Sequence, residues 1–301
     1  MNSRFAILEL GSTNTKGYIY QNNNLTELDF CTINFKKNYS INNEITEDDK
    51  HKLAEYIQFV KTHVSDIYAY GTSIFRQMPN NQLEEFKTWL KDNFNVNFNV
   101  VTSEQENIYT VQGAIKNYNL NDSVAVMIGG GGSTEISICK NGKIIEQCNS
   151  PVGVLNIQEK FPSLGNDTTN ITVDEVVEYI NSVLSFPKNK ADKLILAGGN
   201  FLLRYNLVEY PVNKNSIFKD KDCPYIIGIE ENINHDKKYF KEISLNSMRE
   251  KTPNTPKWWD CTRAMCACTD AVALKLNSQI LIPTSITMVY GIVEEILKNY
   301  K

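Results

Sequence analysis

The stretch Val124-Ala125-Val126-Met127-Ile128-Gly129-Gly130-Gly131-Gly132-Ser133-Thr134-Glu135 decides how this chain reads. Five apolar residues in a row suit a buried strand, and the four glycines after it leave backbone N–H groups open to a ligand. Gly131 and Gly132 offer amides, Ser133 and Thr134 add hydroxyl donors, and Glu135 adds a carboxylate able to hold a divalent cation. Together they suit a polyanion, such as a phosphate chain carried with Mg²⁺.

A related turn stands about 120 residues earlier, where Phe5-Ala6-Ile7-Leu8 runs into Glu9-Leu10-Gly11-Ser12-Thr13-Asn14-Thr15-Lys16. Each turn is followed by a hairpin pattern. Gly17-Tyr18-Ile19-Tyr20 turns at Gln21–Asn24 into Leu25–Leu28, and Ile136–Cys139 turns at Asn141-Gly142 into Ile144-Ile145. Asn-Gly is the preferred pair for a two-residue type I′ turn. The unit of strand, glycine turn, strand, hairpin and strand therefore occurs twice. The duplication predicts an α/β protein of two similar domains facing a central cleft, residues 1–120 and 121–301, with Asn119–Ser123 as the boundary. The last helix is expected to pack back on the first domain.

Helical patterns separate the strands. Leu53, Ile57 and Val60 recur at helical spacing behind the capping signal Thr46-Glu47-Asp48-Asp49, and further helices read at 82–92, 102–117 and 173–184. Strands read at 67–70, 96–101 and 194–197, whereas 211–223 and 252–257 read as exposed polar loops. At 301 residues, with 42% apolar and 22% charged residues, the chain can build two ordinary cores. A net charge of −4 speaks against general nucleic-acid binding, so any anion site must be local. Without an apolar run of membrane length or a leader pattern, the expected location is the cytoplasm. The seven cysteines include one cluster, Cys261, Cys266 and Cys268, among small alanines. Their spacing is not that of a zinc site, so they read as core residues.

Three further segments carry possible chemistry. Gly71-Thr72-Ser73-Ile74-Phe75-Arg76 is either a helix cap or a phosphate turn in which Ser73 gives a hydroxyl and Arg76 a planar fork of donors. Thr102-Ser103-Glu104-Gln105-Glu106 opens a helix, with Ser103 as its cap. Early acids complement the helix dipole, and one of them could instead polarise water; residue type alone does not choose between Glu104 and Glu106. Leu194–Ala197 ends in Gly198-Gly199, a third place where backbone can approach a phosphate or nucleoside. Only three histidines are present, and His235-Asp236 reads as solvent-facing, which leaves no His-Asp metal centre. Trp258-Trp259 reads as packing against the second domain.

In order and spacing these segments resemble the exopolyphosphatase and guanosine pentaphosphate phosphohydrolase (Ppx/GppA) family, in a short form without the appended helical His-Asp domain. The likeness runs through Leu10-Gly11-Ser12, Gly71 to Arg76 with Asn80, Thr102 to Gly113, Gly130 to Glu135 and Pro151-Val152-Gly153-Val154. It continues in Ala197-Gly198-Gly199, Arg263-Ala264 and Tyr290 to Glu295. It implies two ribonuclease-H-like domains of the actin, Hsp70 and sugar-kinase superfamily, and hydrolysis of terminal phosphate from polyphosphate or a guanosine pentaphosphate alarmone. The family's catalytic carboxylate stands seven residues before a glycine, which selects Glu106, seven before Gly113.

The resemblance further implies phosphate binding by Gly11, Ser12, Thr13, Lys16, Ser73, Arg76, Gly131, Gly132, Ser133, Thr134, Gly198 and Gly199. It implies Mg²⁺ on Glu135 with Glu9, and it admits a homodimer. Three positions depart from the pattern: Glu9 and Ile128 stand where Asp is usual, and Lys16 where Arg is usual. A non-hydrolytic sensor of the same anions and a superfamily kinase are the rival readings. The sensor is favoured by Ile128, while the kinase needs an adenosine pocket that the sequence does not display.

Overall fold

The continuous apolar runs Phe5–Leu8 and Val124–Met127 become strands buried on both faces in the computed structural model, which describes residues 3–116, 118 and 123–299. The expected boundary at Asn119–Ser123 lies almost wholly outside the described residues. The chain divides into unit 1, Met1–Ile108 with Val289–Lys301, and unit 2, Tyr109–Met288.

Unit 1 begins with β1 (Arg4–Leu10), β2 (Asn14–Gln21), β3 (Asn24–Glu27) and β4 (Cys31–Thr32), then α1 (Phe35–Asn42) and α2 (Glu47–Lys61). It continues with β5 (Ile67–Gly71), α3 (Asn80–Phe94), β6 (Asn97–Val100) and the start of α4 (Ser103–Ile115). Among the described residues its sheet runs β3-β2-β1-β5-β6, with β4 also on β2. β1 pairs antiparallel with β2 and parallel with β5. Thr46 and Asp49 satisfy each other's backbone N–H in a capping box at the head of α2. Beneath the sheet, Phe75 contacts Phe35, Phe86 and Phe98 at ring separations of 5.1–5.6 Å.

Unit 2 carries β7 (Val124–Gly129), β8 (Thr134–Lys140), β9 (Lys143–Ser150), α5 (Val154–Lys160) and α6 (Val173–Val183). Next come β10 (Lys193–Ala197), α7 (Leu202–Leu207), β11 (Asn213–Lys214) and β12 (Tyr225–Gly228). They are followed by α8 (Ile229–Glu242), α9 (Leu245–Lys251), α10 (Thr262–Leu276) and β13 (Ile280–Pro283). The final helix, α11 (Met288–Asn299), belongs almost entirely to unit 1. The second sheet runs β11-β12-β13-β10-β7-β8-β9, so its stretch β9-β8-β7-β10-β13 repeats the order and directions of β3-β2-β1-β5-β6. The duplication seen in the glycine turns is thus a duplication of topology.

Helix α10 runs through the core of unit 2, where Ala264, Cys266, Ala267, Cys268 and Ala271 are buried and let it approach its neighbours closely. Burial pushes the Cys268 thiol up to about 12, so it packs as a small apolar group and not as a nucleophile. Trp259 is fully buried, and its indole N–H donates to Thr252 Oγ1 at 2.7 Å.

Two local expectations are corrected. His235-Asp236 is not a solvent-facing loop pair but part of α8: Asp236 is fully buried and accepts from the Tyr210 hydroxyl, and the half-buried His235 ring lies 4.0 Å from the Tyr210 ring. Burial is the first cause that lowers the His235 pKa, so the imidazole resists protonation. The amphipathic run Glu230–Glu242 carries this pair on its inner face, which charge-rich flanks conceal in the sequence. The cap of α4 is also Thr102 and not Ser103, because Thr102 Oγ1 accepts from Gln105 N while Gln105 Oε1 accepts from Thr102 N.

Candidate active site

In unit 1, Gly11 N donates to Asn14 O at 3.0 Å and closes the turn between β1 and β2. A Cβ on Gly11 would stand 3.0 Å from that same oxygen, so only glycine leaves the turn undisturbed. The next turn follows β5, the parallel neighbour of β1, and Thr72 N donates to Leu10 O at 3.1 Å. Ser12 Oγ donates to Ser73 Oγ at 2.7 Å, joining the two turns through their hydroxyls. Ser73 has φ of +49°, the left-handed region that side chains ordinarily avoid and that clusters at binding sites. Thr13 lies exposed at the tip of the first turn.

Arg76 ends the short helical turn Ser73–Arg76, and its Nη1 donates both to Val101 O at 3.1 Å and to Glu106 Oε2 at 2.9 Å. Glu104 is exposed, whereas Glu106 is half-buried and held by this ion pair. The two acids that residue type could not separate thus occupy different environments.

Lys16 lies across the β1–β2 pair from Glu9, and its ammonium is 3.6 Å from Glu27. The Glu9 carboxyl is raised above the ordinary carboxylate value, first by burial; Lys16 opposes the shift, while the charges of Glu106 and Glu27 add to it. Tyr18 OH donates to Glu9 Oε2 at 3.5 Å. Sequence reading did not single out Tyr18, although its position two residues beyond Lys16 puts it on the same face of β2.

In unit 2, Gly130 N donates to Ser133 O at 2.9 Å, and Val154 N and Leu155 N donate to Gly130 O and Gly131 O at 3.0 and 2.9 Å. The start of α5 therefore clamps the glycine turn from behind. At Gly153 a Cβ would come within 2.4 Å of Gly130 O, while Gly132, at the tip, has open space. Ser133 follows this tip, whereas Thr134 is buried with its hydroxyl given to Val152 O at 2.8 Å. Thr134 therefore shapes the turn. Gly198 and Gly199 follow β10, the parallel neighbour of β7. Gly198 has φ of +89°, and a Cβ there would stand 2.6 Å from Ile128 Cγ2, so Ile128 fills the space against this turn. A cavity of about 310 Å³ adjoins Gly129, Gly130, Gly131 and Gly199 and is walled mainly by Leu155, Phe201, Trp258 and Met265. It had no signal in the sequence, because its walls come from four separate elements.

Glu135 is buried on β8 opposite Ile128. Among the described residues no group of three or more His, Cys, Asp or Glu side chains is placed to hold a metal ion. The donors therefore do not make a dedicated cage. Glu9 and Glu135, one in each unit, each offer the single carboxylate with which Mg²⁺ can bind while it keeps several waters and takes substrate phosphates.

The model of the Ppx/GppA phosphatase family matches residues 29–213. The crystal structure of the Aquifex aeolicus Ppx/GppA family member is 19% identical, covers 100% of both chains and superposes with a TM-score of 0.73. The type II variant of the Aquifex aeolicus Ppx/GppA phosphatase gives 19% identity, 96% and 98% coverage and a TM-score of 0.72. An exopolyphosphatase from Cytophaga hutchinsonii gives 15%, 99% and 98%, and 0.71. No curated protein matches significantly. At these identities the solved structures establish the fold alone, an α/β fold of two units whose sheets repeat one strand order. No helix among the described residues is long and apolar enough to cross a membrane.

Proposed function

The chain belongs to the Ppx/GppA phosphatase family, and we propose that it hydrolyses phosphoanhydrides, releasing terminal phosphate from inorganic polyphosphate or a guanosine pentaphosphate alarmone. The observation that carries this reading is the grouping in unit 1 of Glu106, Arg76 and the joined Ser12 and Ser73 hydroxyls. Glu106 accepts a proton from the attacking water, as a general base must. Nη1 of Arg76 holds Glu106 in place, and the rest of the guanidinium is the donor set left for phosphoryl oxygens. Ser12, Ser73, Lys16 and the amides that follow Gly11, whose own N–H is given to Asn14 O, neutralise charge that moves between oxygens in the transition state. The amides of Gly131, Gly132 and Ser133 and the turn at Gly198-Gly199 provide further phosphate contacts in unit 2.

Glu9 in unit 1, or Glu135 in unit 2, would offer one carboxylate to Mg²⁺, which when bound would supply charge neutralisation to phosphate oxygens. Lys16 keeps the charge of the usual arginine without its fork, so it acts as a point charge on phosphate.

The test is phosphate release from long polyphosphate, the pentaphosphate alarmone and nucleoside triphosphates, each with and without Mg²⁺. Release from either of the first two supports the reading; release from neither, under conditions where they bind, overturns it. That second outcome would favour an anion sensor, the reading supported by Ile128, whose apolar side chain packs on Gly198 and can neither ligate a cation nor align water.

A further inference from the structure

We propose that Lys36 of unit 1 is a further phosphate-binding residue, an ammonium laid over the first glycine turn. The inference rests on the phosphoanhydride reading above and deepens it. The two glycine turns correspond position by position. Gly11 N donates to Asn14 O and Gly130 N to Ser133 O, and the strands around them pair as Leu10 with Thr15 and Gly129 with Thr134. Ser12 therefore corresponds to Gly131. Each is held by the second residue of the helix that follows the hairpin. Lys36 N donates to Ser12 O at 3.0 Å at the head of α1, and Leu155 N donates to Gly131 O at 2.9 Å at the head of α5. The first residue of each helix, Phe35 or Val154, is buried.

Unit 2 shows where a side chain at this position goes. A Cβ on Gly131 would stand 2.9 Å from Leu155 Cδ1, so the Leu155 side chain lies along the turn. It also lines the apolar cavity beside Gly130 and Gly131. In unit 1 the same position carries a lysine, longer and charged, and it is exposed. The repeated backbone geometry directs it along Ser12, whose hydroxyl is joined to that of Ser73. Ser12 O and Thr13 O already accept from backbone, the second from Ile33 N at 3.0 Å, which leaves the ammonium for an incoming anion.

Charge singles out Lys36 as well. Lys16 stands 3.6 Å from Glu27, and Arg76 is paired with Glu106, whereas Lys36 meets no carboxylate among the described residues. Its place also runs against the local preference of a helix. Helix α1 opens with Lys36 and Lys37 and has no acid in its first turn, while α2, α6 and α8 open with acids. A cation there meets the positive end of the helix dipole, and a phosphate beside both relieves that conflict. Sequences break a local rule of this kind chiefly at functional positions. The two clamps thus differ in what they present to their turns, an ammonium in unit 1 and an apolar side chain in unit 2.

The experiment compares the wild-type protein with Lys36→Gln, Lys36→Arg and, as the neighbouring control, Lys37→Gln. It measures KM for long polyphosphate and for the pentaphosphate alarmone, and binding of tripolyphosphate by calorimetry over a salt series. Lys36→Gln should weaken tripolyphosphate binding, and raise the KM of whichever substrate is hydrolysed, by about fivefold, the upper range for one exposed charge contact. Its binding should also lose part of its salt dependence. Lys36→Arg should restore binding, and Lys37→Gln should stay within about twofold of wild type. The clamp itself is a backbone bond, so a merely structural role predicts no change in any of these. Unchanged binding in Lys36→Gln, or an equal loss in Lys37→Gln, would overturn the assignment and leave the hydrolase reading intact. If the wild type hydrolyses neither substrate, weaker tripolyphosphate binding in Lys36→Gln still supports the residue while the hydrolase reading falls. A wild type that does not bind tripolyphosphate overturns the assignment.

Discussion

Replacing Glu106 by Gln should separate catalysis from stability by several kcal/mol. The carboxylate and its partner Arg76 are 38% and 27% exposed, so the pair is screened by solvent and contributes no more than about 1 kcal/mol. Glutamine also keeps an oxygen that can accept from Arg76 Nη1. The melting temperature should therefore fall by no more than about 4 °C. Loss of a general base lowers turnover by about 10²- to 10⁴-fold, which corresponds to ~3–5.5 kcal/mol of transition-state stabilisation. Glu104→Gln, at an exposed position on the same helical turn, is the control and should stay within about twofold of wild type. Terminal-phosphate release and calorimetric melting on the same preparations give both quantities. Glu106→Gln retaining more than about a tenth of wild-type turnover would refute the assignment. So would an equal loss in Glu104→Gln.

Ile128→Asp puts a carboxylate directly opposite Glu135 in the β7–β8 pair, where like charges repel by up to ~1 kcal/mol. Mg²⁺ should then raise the melting temperature of the variant more than that of the wild type, and equal responses would discard Glu135 as a metal ligand. Gly198→Ala should cost more than ~1 kcal/mol, because φ is +89° and the new methyl meets Ile128. In a double-mutant cycle read from denaturant midpoints, Ile128→Ala should recover part of that cost, and strict additivity would show that the contact carries none of it. Burial, and then the neighbouring Asp236, hold the Asp270 carboxyl well above the ordinary carboxylate value. The folded state therefore keeps a proton that the unfolded chain loses above pH ~4, so this group costs stability as pH rises through that value towards its folded pKa. Asp270→Asn should remove the slope, making the variant's stability relative to wild type increase with pH; a constant difference would contradict this.

The sequence displays the fold where a decision is local. Glycine after an apolar run sets the turns after β1 and β7, Asn141-Gly142 sets the β8–β9 hairpin, and Thr46 with Asp49 sets the start of α2. Each depends on residues within a few positions of one another. The site is less legible because its contacts join distant segments. Arg76 meets Glu106 thirty residues on, and Ser12 meets Ser73 sixty-one residues on. The contact of Ile128 with Gly198 appears only once β7 and β10 lie side by side. Polar side chains inside unit 2 mislead most: Arg204, Asn232 and Asp236 are buried among bonds to Tyr205, Tyr210 and one another, while Asp270 accepts from Asn232 through one oxygen and buries the other without a hydrogen bond. No property of the individual residues announces this.

Unit 1 is assembled from two stretches of chain that flank unit 2, and its second stretch is α11. During synthesis, everything unit 2 needs has been made before α11 exists, so unit 2 can close first while unit 1 stays open. Tyr70 on β5 shares a groove with Ile296 of α11, so that side of the first sheet waits for residues made more than two hundred positions later. The two units thus come to rest in an order set by the ribosome, and the one holding Glu106 is completed last.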